Sequence, residues 1–223
     1  MSKTQQLNQL FDKWEHRIPE CRGLLVRDGI INEDMWNLTN PKILFIAKEP
    51  NQYGNSKSGD FRSDWNSGNC NYPFAKTISE CAFGILEGFK VYTEIGGNRN
   101  RHQEYLQKIA FLNIKKTGGL SQCDEVALWN HLQLQGQVEL IQKEIEIINP
   151  EIIVLGLSFQ NRITELIFPG ILEEMEQCGY MIEVANYNNR KIIDFYHPSS
   201  RNTGPATYSL LQNVMHSEVY QSL

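Results

Sequence analysis

The sequence predicts an α/β fold: three layers, α/β/α, around a four-stranded parallel sheet. Two observations carry this. Four short, continuously apolar runs recur along the chain, and stretches with helical apolar spacing separate them. A short run apolar at every position reads as a strand covered on both faces, and strands alternating with helices build a parallel sheet. With 223 residues and a mass of 25.8 kDa, the chain fits a single domain, 1–223, with room for a substantial core.

The elements follow in order. Residues 3–16 predict a helix with Leu7, Leu10, Phe11 and Trp14 on one face. KILFIA, 42–47, is the first strand. The polar stretch 51–71 is long for a connection inside a compact domain. It carries Tyr53, Phe61 and Trp65, so it reads as a lid or substrate-contacting loop. Residues 73–87 form a helix with Phe74, Ile78, Ala82, Ile85 and Leu86 at helical spacing. KIAFLNI, 108–114, is the second strand. A helix over 131–148 aligns Leu134, Val138, Ile141, Ile145 and Ile148, and Asn149-Pro150 stops it, because a residue before proline avoids the α region. EIIVLGL, 151–157, and KIIDFY, 191–196, are the third and fourth strands. Gly204-Pro205 opens a closing helix over 205–219, proline being suited to a first turn.

Composition narrows the function classes. A formal net charge of -5 argues against a protein that coats nucleic acid through bulk charge. A local basic face remains open, drawn from Arg99, Arg101, Lys115, Lys116 and Arg201, against the alternative of scattered, solvated charges. The five cysteines have no C-x-x-C pair, so neither a metal centre nor an iron–sulfur cluster is expected, and reduced, partly buried thiols are. No apolar run approaches the roughly 18 residues of a membrane span, and the N-terminus is polar. The expectation is a cytoplasmic monomer with no membrane partner.

In parallel sheets the ligand sits beyond the carboxyl ends of the strands. The residues to weigh are therefore Lys48-Glu49-Pro50-Asn51, then Asn113 to Lys116, then Ser158 to Asn161, then His197-Pro198-Ser199-Ser200-Arg201. Three of these four places hold side chains suited to chemistry: Glu49, Asn113 and His197.

In this order the segments resemble the uracil-DNA glycosylase superfamily. Ala47-Lys48-Glu49-Pro50-Asn51 stands where that family has G-Q-D-P-Y or G-E-x-P-G after its first strand. Pro73-Phe74 opens a helix as in the family, FLNIKK ends the second strand in Asn113, INPEIIVLG supplies the third, and His197-Pro198-Ser199 matches the last motif. The resemblance runs from about 42 to 215. It implies a uracil-DNA glycosylase-like fold and a DNA base-excision glycosylase that hydrolyses the N-glycosidic bond of uracil or another deaminated base. DNA, single- or double-stranded, would be the partner, and no cofactor or metal is implied.

The resemblance also implies roles. Glu49 stands where the family often has a catalytic Asp that orients water and stabilises the sugar cation. Asp60 and Asp64 are reserves. His197 would donate a hydrogen bond to the carbonyl oxygen of the departing base. Asn113, with one donor and one acceptor group, would read a pyrimidine edge, and Phe74 would stack on the base. Pro50 and Asn51 would line the substrate. Ser199, Ser200 and Arg201 would enter the duplex minor groove, with Arg201 where many relatives carry a Leu wedge. Lys115 and Lys116 would reach phosphates or stay solvated.

Each residue also has a plainer role. Glu49 could pair with Lys48 or Arg201, and His197 could brace the turn before Pro198. Asn113 could satisfy strand-end backbone groups, and Phe74 could be core. Two other functions stand beside the glycosylase: a divergent member that binds nucleic acid or nucleotide without hydrolysis, and a small-molecule hydrolase or transferase on an α/β scaffold.

Overall fold

The structure is a computed structural model that describes residues 1–51, 58–119 and 123–223. The chain opens with helix α1 (Lys3–Arg17), closed at its start by a reciprocal capping box between Ser2 and Gln5. Strands β1 (Val26–Arg27) and β2 (Gly29–Ile30) flank Asp28, and α2 (Glu33–Leu38) starts on an Asn32 cap. Strand β3 (Ile43–Ala47) follows. Strand β4 (Gly59–Asp60) leads into α3 (Phe61–Asn66). Helix α4 (Pro73–Glu87) begins on Pro73 and stops at Gly88, whose φ of 67° suits glycine. Then come α5 (Arg99–Gln107), β5 (Ala110–Asn113), α6 (Glu125–Leu132), α7 (Gln137–Ile148) and β6 (Ile152–Leu155). After α8 (Asn161–Ile167) the strands β7 (Glu176–Gly179), β8 (Ile182–Tyr187) and β9 (Arg190–Asp194) form a meander. Helices α9 (Gly204–Met215) and α10 (Glu218–Ser222) close the chain.

The main sheet runs β2-β5-β3-β6-β9-β8-β7. Its inner strands β5, β3, β6 and β9 are mutually parallel, and they correspond to the four apolar runs. Strand β2 and the β7–β8 pair add antiparallel edges. The sheet is thus seven-stranded and mixed, which corrects the expected four-stranded parallel sheet. The edges escape a search for apolar runs for a physical reason. Strand β7 is EQCG and mostly exposed, and β2 is two residues long. One face of an edge strand meets water, so it does not need to be apolar throughout.

Alternation along the strands sorts the core into two layers. Leu44, Ile46, Leu112, Ile153, Leu155 and Ile192 face α1, α7 and α8. Ile43, Phe45, Phe111, Ile152, Val154 and Ile193 face α3, α4, α5 and α9. Three further expectations are corrected. The helix over 131–148 is two helices, because Gly136 at φ 88° breaks the chain before α7. The helix over 205–219 is also two, with Ser217 capping the second. The stretch 51–71 is not simply a lid: Trp65 on α3 is fully buried, and Phe61 packs edge-on to Phe111. Tyr53 lies outside the described residues. Among the described residues, no helix is long and apolar enough to cross a membrane.

The two hairpin turns of the meander share a backbone shape but differ in chemistry. Asn188 and Asn189 turn β8 into β9 with φ of 51° and 61°. Asparagine tolerates this left-handed region. Tyr180 and Met181 turn β7 into β8 with φ of 54° and 64°. Side chains of that kind cost about 1–2 kcal/mol each in this conformation.

Asp194, the last residue of β9, is buried, with Oδ1 unpaired among the described residues. Burial, and then Glu183 beside it, push its carboxyl up to about 7. An acid raised in the fold is protonated there while the unfolded chain ionises. Its contribution to stability is therefore complete below the ordinary Asp value and lost as pH rises towards 7. Asp194→Asn should stabilise the protein by on the order of 2 kcal/mol at pH 8 and by clearly less at pH 5. Urea unfolding at the two pH values checks this, and an equal gain at both would contradict it.

Candidate functional site

The carboxyl ends of β3 and β5 lie side by side, with Ala47 paired to Asn113. The pairing continues past the strands: Ile114 N–H donates to the Ala47 carbonyl and Lys115 N–H to that of Lys48, both at 3.0 Å. Gly156 follows the last residue of β6, and its N–H donates to the Ile46 carbonyl at 2.7 Å. A methyl group on Gly156 would sit 2.8 Å from Pro198 Cδ, so glycine lets the His197-Pro198 turn lie directly across the end of β6. Nothing in the sequence gives Gly156 a role of its own. Only its place at a strand end marks it out.

Asn113 is 1% exposed, and neither its side-chain oxygen nor its nitrogen has a partner among the described residues. A buried amide without partners costs about 1–3 kcal/mol, so such a group at a strand end points to a ligand or water that completes it. Its backbone is held firmly. Asn113 N–H donates to Asp28 Oδ2 at 2.7 Å, while Asp28 Oδ1 accepts from Lys116 Nζ at 2.5 Å. Glu144 lies 2.7 Å from the same ammonium, and all three side chains are fully buried. Burial drives the Glu144 carboxyl well above its ordinary range; the Lys116 cation opposes this, and the Asp28 carboxylate adds to it. Gln137 completes the clamp, donating to the Ile114 carbonyl at 3.0 Å and accepting from Trp14 Nε1 at 2.9 Å.

His197 is half-buried. Its Nδ1 accepts the Ser199 backbone N–H at 3.1 Å. That acceptor role leaves the proton on Nε2 as the free donor. Burial, and then the Lys48 cation, lower the ring to about 4, so it is neutral at physiological pH. Phe74, also half-exposed, packs against His197 with ring centroids 5.7 Å apart and edge-on to Phe111 at 5.6 Å. Its ring is therefore partly core and partly presented beside the imidazole.

Glu49 is paired with Lys115 at 2.5 Å, its carboxyl group seated where a side chain at residue 119 would be. The expected partners, Lys48 and Arg201, are not its partners. Lys48 pairs with Glu125 at 3.2 Å, and Arg201 is exposed. No hydrogen bond among the described residues joins Glu49 to Asn113 or His197. Pro50 is buried, and its carbonyl accepts from Gly119 N–H at 2.8 Å, whereas Asn51 is exposed. Ser199 is exposed, with its backbone N–H committed to His197. Asp60, one of the two reserves, caps α3 and pairs with Arg62 at 2.7 Å; Asp64, the other, is exposed on α3.

The basic face does not assemble. Lys116 is buried in the acid cluster, Lys115 is held by Glu49, and Arg101 pairs with Glu94 at 3.4 Å. Arg99 and Arg201 remain exposed. Beneath the turn lies a cavity of about 10 Å³ lined by Ala47, Phe111, Gly156 and Pro198, space for about one water and none for a ring. Asn113 does not line this cavity.

No protein-family model matches the chain, and no curated protein does.

Two stability measurements test this site without any ligand. Asn113→Leu, close in shape but with no polar atoms to bury, should raise unfolding stability by about 1 kcal/mol. Lys116→Met leaves two buried carboxyl groups without their cation and should lower it by about 3–5 kcal/mol. Chemical denaturation of the two variants decides both; a loss of stability in the first would mean that the amide is already satisfied.

Proposed function

We infer that the chain is a base-excision glycosylase of the uracil-DNA glycosylase type, hydrolysing the N-glycosidic bond of uracil or another deaminated base in DNA. The observation that carries this is the buried amide of Asn113 at the end of β5, which has no partner among the described residues. A pyrimidine imide edge presents a carbonyl acceptor beside an N–H donor, and a fixed primary amide complements both. A flipped-out base read on this edge is what base-processing enzymes require.

The neighbouring groups have matching chemistry. As the glycosidic bond breaks, the base gathers negative charge on its carbonyl oxygen. The Nε2–H of a neutral His197 is a fixed dipole suited to stabilising that charge. Phe74 offers a ring face to the base. Glu49 supplies a carboxylate at the end of the adjacent strand, to orient water and balance the cationic sugar. The parallel inner strands and helices on both faces are the frame that the resemblance implies.

A second reading rests on one observation. The 2.5 Å ion pair with Lys115 occupies the Glu49 carboxylate. If that pair persists with ligand bound, the site recognises a base without activating water, and the protein binds nucleic acid or nucleotide without hydrolysing it.

Uracil release from single- and double-stranded oligonucleotides separates the two. Glu49→Gln and His197→Ala should each lower release by about 10²–10³-fold with little change in melting temperature. A ring held neutral down to about 4 also predicts no His197 inflection in the rate between pH 5.5 and 8. Tight oligonucleotide binding without release of uracil, hypoxanthine or xanthine would establish the second reading.

A further inference from the structure

We propose that the β7–β8 hairpin tip, Tyr180-Met181, on the His197 side of the site, is a second nucleic-acid contact, on which a further base of the same strand as the one at Asn113 stacks. The inference rests on the glycosylase-type reading of the Asn113 site and extends it from a single base to a strand.

The position comes from the topology. Strand β8 runs antiparallel to β9, with Glu183 paired to Asp194. The residues before Ile182 therefore project past the carboxyl end of β9, the edge on which His197 lies. Tyr196, the residue before His197, ties the tip in place, its hydroxyl donating to the Tyr180 carbonyl at 3.1 Å. Phe159 packs edge-on to the same Tyr196 ring at 5.0 Å, so the tip stands on a rigid aromatic base next to the site.

The chemistry comes from a comparison within the molecule. Both meander turns hold two residues at positive φ. The turn at the opposite end of the sheet, away from the site, uses Asn188-Asn189, which suits that backbone. The turn on the site's edge uses an aromatic and a thioether, 72% and 67% exposed. Neither turn geometry nor core packing calls for these side chains. A large, flat, exposed ring and a soft, adaptable neighbour, held at positive φ on the Tyr196–His197 side of the site, match what stacking on the bases of a strand requires. Arg201, exposed in the turn that follows His197, is a cation available to the strand's phosphates.

The test uses the full chain and the double variant Tyr180→Asn/Met181→Asn, which installs the pair already used by the other turn. Two kinds of probe are titrated: single-stranded deoxyuridine oligonucleotides with 2-aminopurine one, two or three positions from the uracil, and 2′-deoxyuridine alone. The nucleoside is too short to reach the tip and reports on the Asn113 site by itself. The expected result is roughly tenfold weaker oligonucleotide binding in the variant, with loss of 2-aminopurine quenching, equal nucleoside binding and an equal or higher melting temperature. Tyr180→Phe, which keeps the ring, should retain wild-type affinity. Unchanged oligonucleotide affinity in the variant overturns the inference and leaves the Asn113 reading intact. So does an equal loss on both probes, which would make the tip a structural support. If the wild-type chain binds the nucleoside but not the oligonucleotide, the hairpin inference alone fails. If it binds neither, the glycosylase-type reading fails and takes the inference with it.

Discussion

The carboxylate of Asp28 is the constraint on which the site depends. One oxygen takes the backbone N–H of Asn113 and the other the ammonium of Lys116, so a single buried group clamps both ends of the four-residue turn that leaves β5. An ion pair inside a hydrophobic core is weak evidence for net stability, since desolvation offsets much of its attraction. Its effect here is positional. Lys116 cannot leave the cluster without stranding Asp28 and Glu144, and so β5 must end with Asn113 at the rim beside Ala47. The cation also sits over the Phe11 and Trp14 rings, which ties the clamp to α1.

Around that fixed amide the other groups are held by less costly means. His197 receives its orientation from a backbone N–H two residues on, and its neutrality from burial and the Lys48 charge. Gly156 supplies the closeness of approach that a side chain would deny. Phe74 leans on core aromatics on one side and on the imidazole on the other. The result is a set of held polar groups at the carboxyl ends of the strands, the arrangement that the proposed glycosylase chemistry would call on. Glu49 is the exception: its carboxylate is neutralised by Lys115.

The chain illustrates how unevenly a sequence advertises its parts. Strands covered on both faces must be apolar throughout, so KILFIA, KIAFLNI, EIIVLGL and KIIDFY were legible. Edge strands answer to water on one side, and β7, written EQCG, carries no apolar signal. Helix breaks at Gly136 and Ser217 are single-residue events inside a continuing apolar period, so a pattern search runs through them. Charges were misread for a related reason. Lys115 and Lys116 look like a surface pair, but consecutive residues at a strand end point in different directions, one to Glu49 and the other into the core.

The sequence by itself determined the alternation of buried strands and helices, and therefore which residues fall on the carboxyl ends of β3, β5 and β9. These properties are local, written in apolar period and in the proline and glycine that end each element. Only the tertiary structure decided which of those residues are free to act. Partner choice for Glu49, the tautomer of His197, the burial of the Asn113 amide and the placing of Tyr180 beside Tyr196 all join residues far apart in the chain or fixed by a particular turn. Hydrogen bonds and ion pairs of that kind depend on distances of a few tenths of an ångström, which residue order alone does not encode in any readable period.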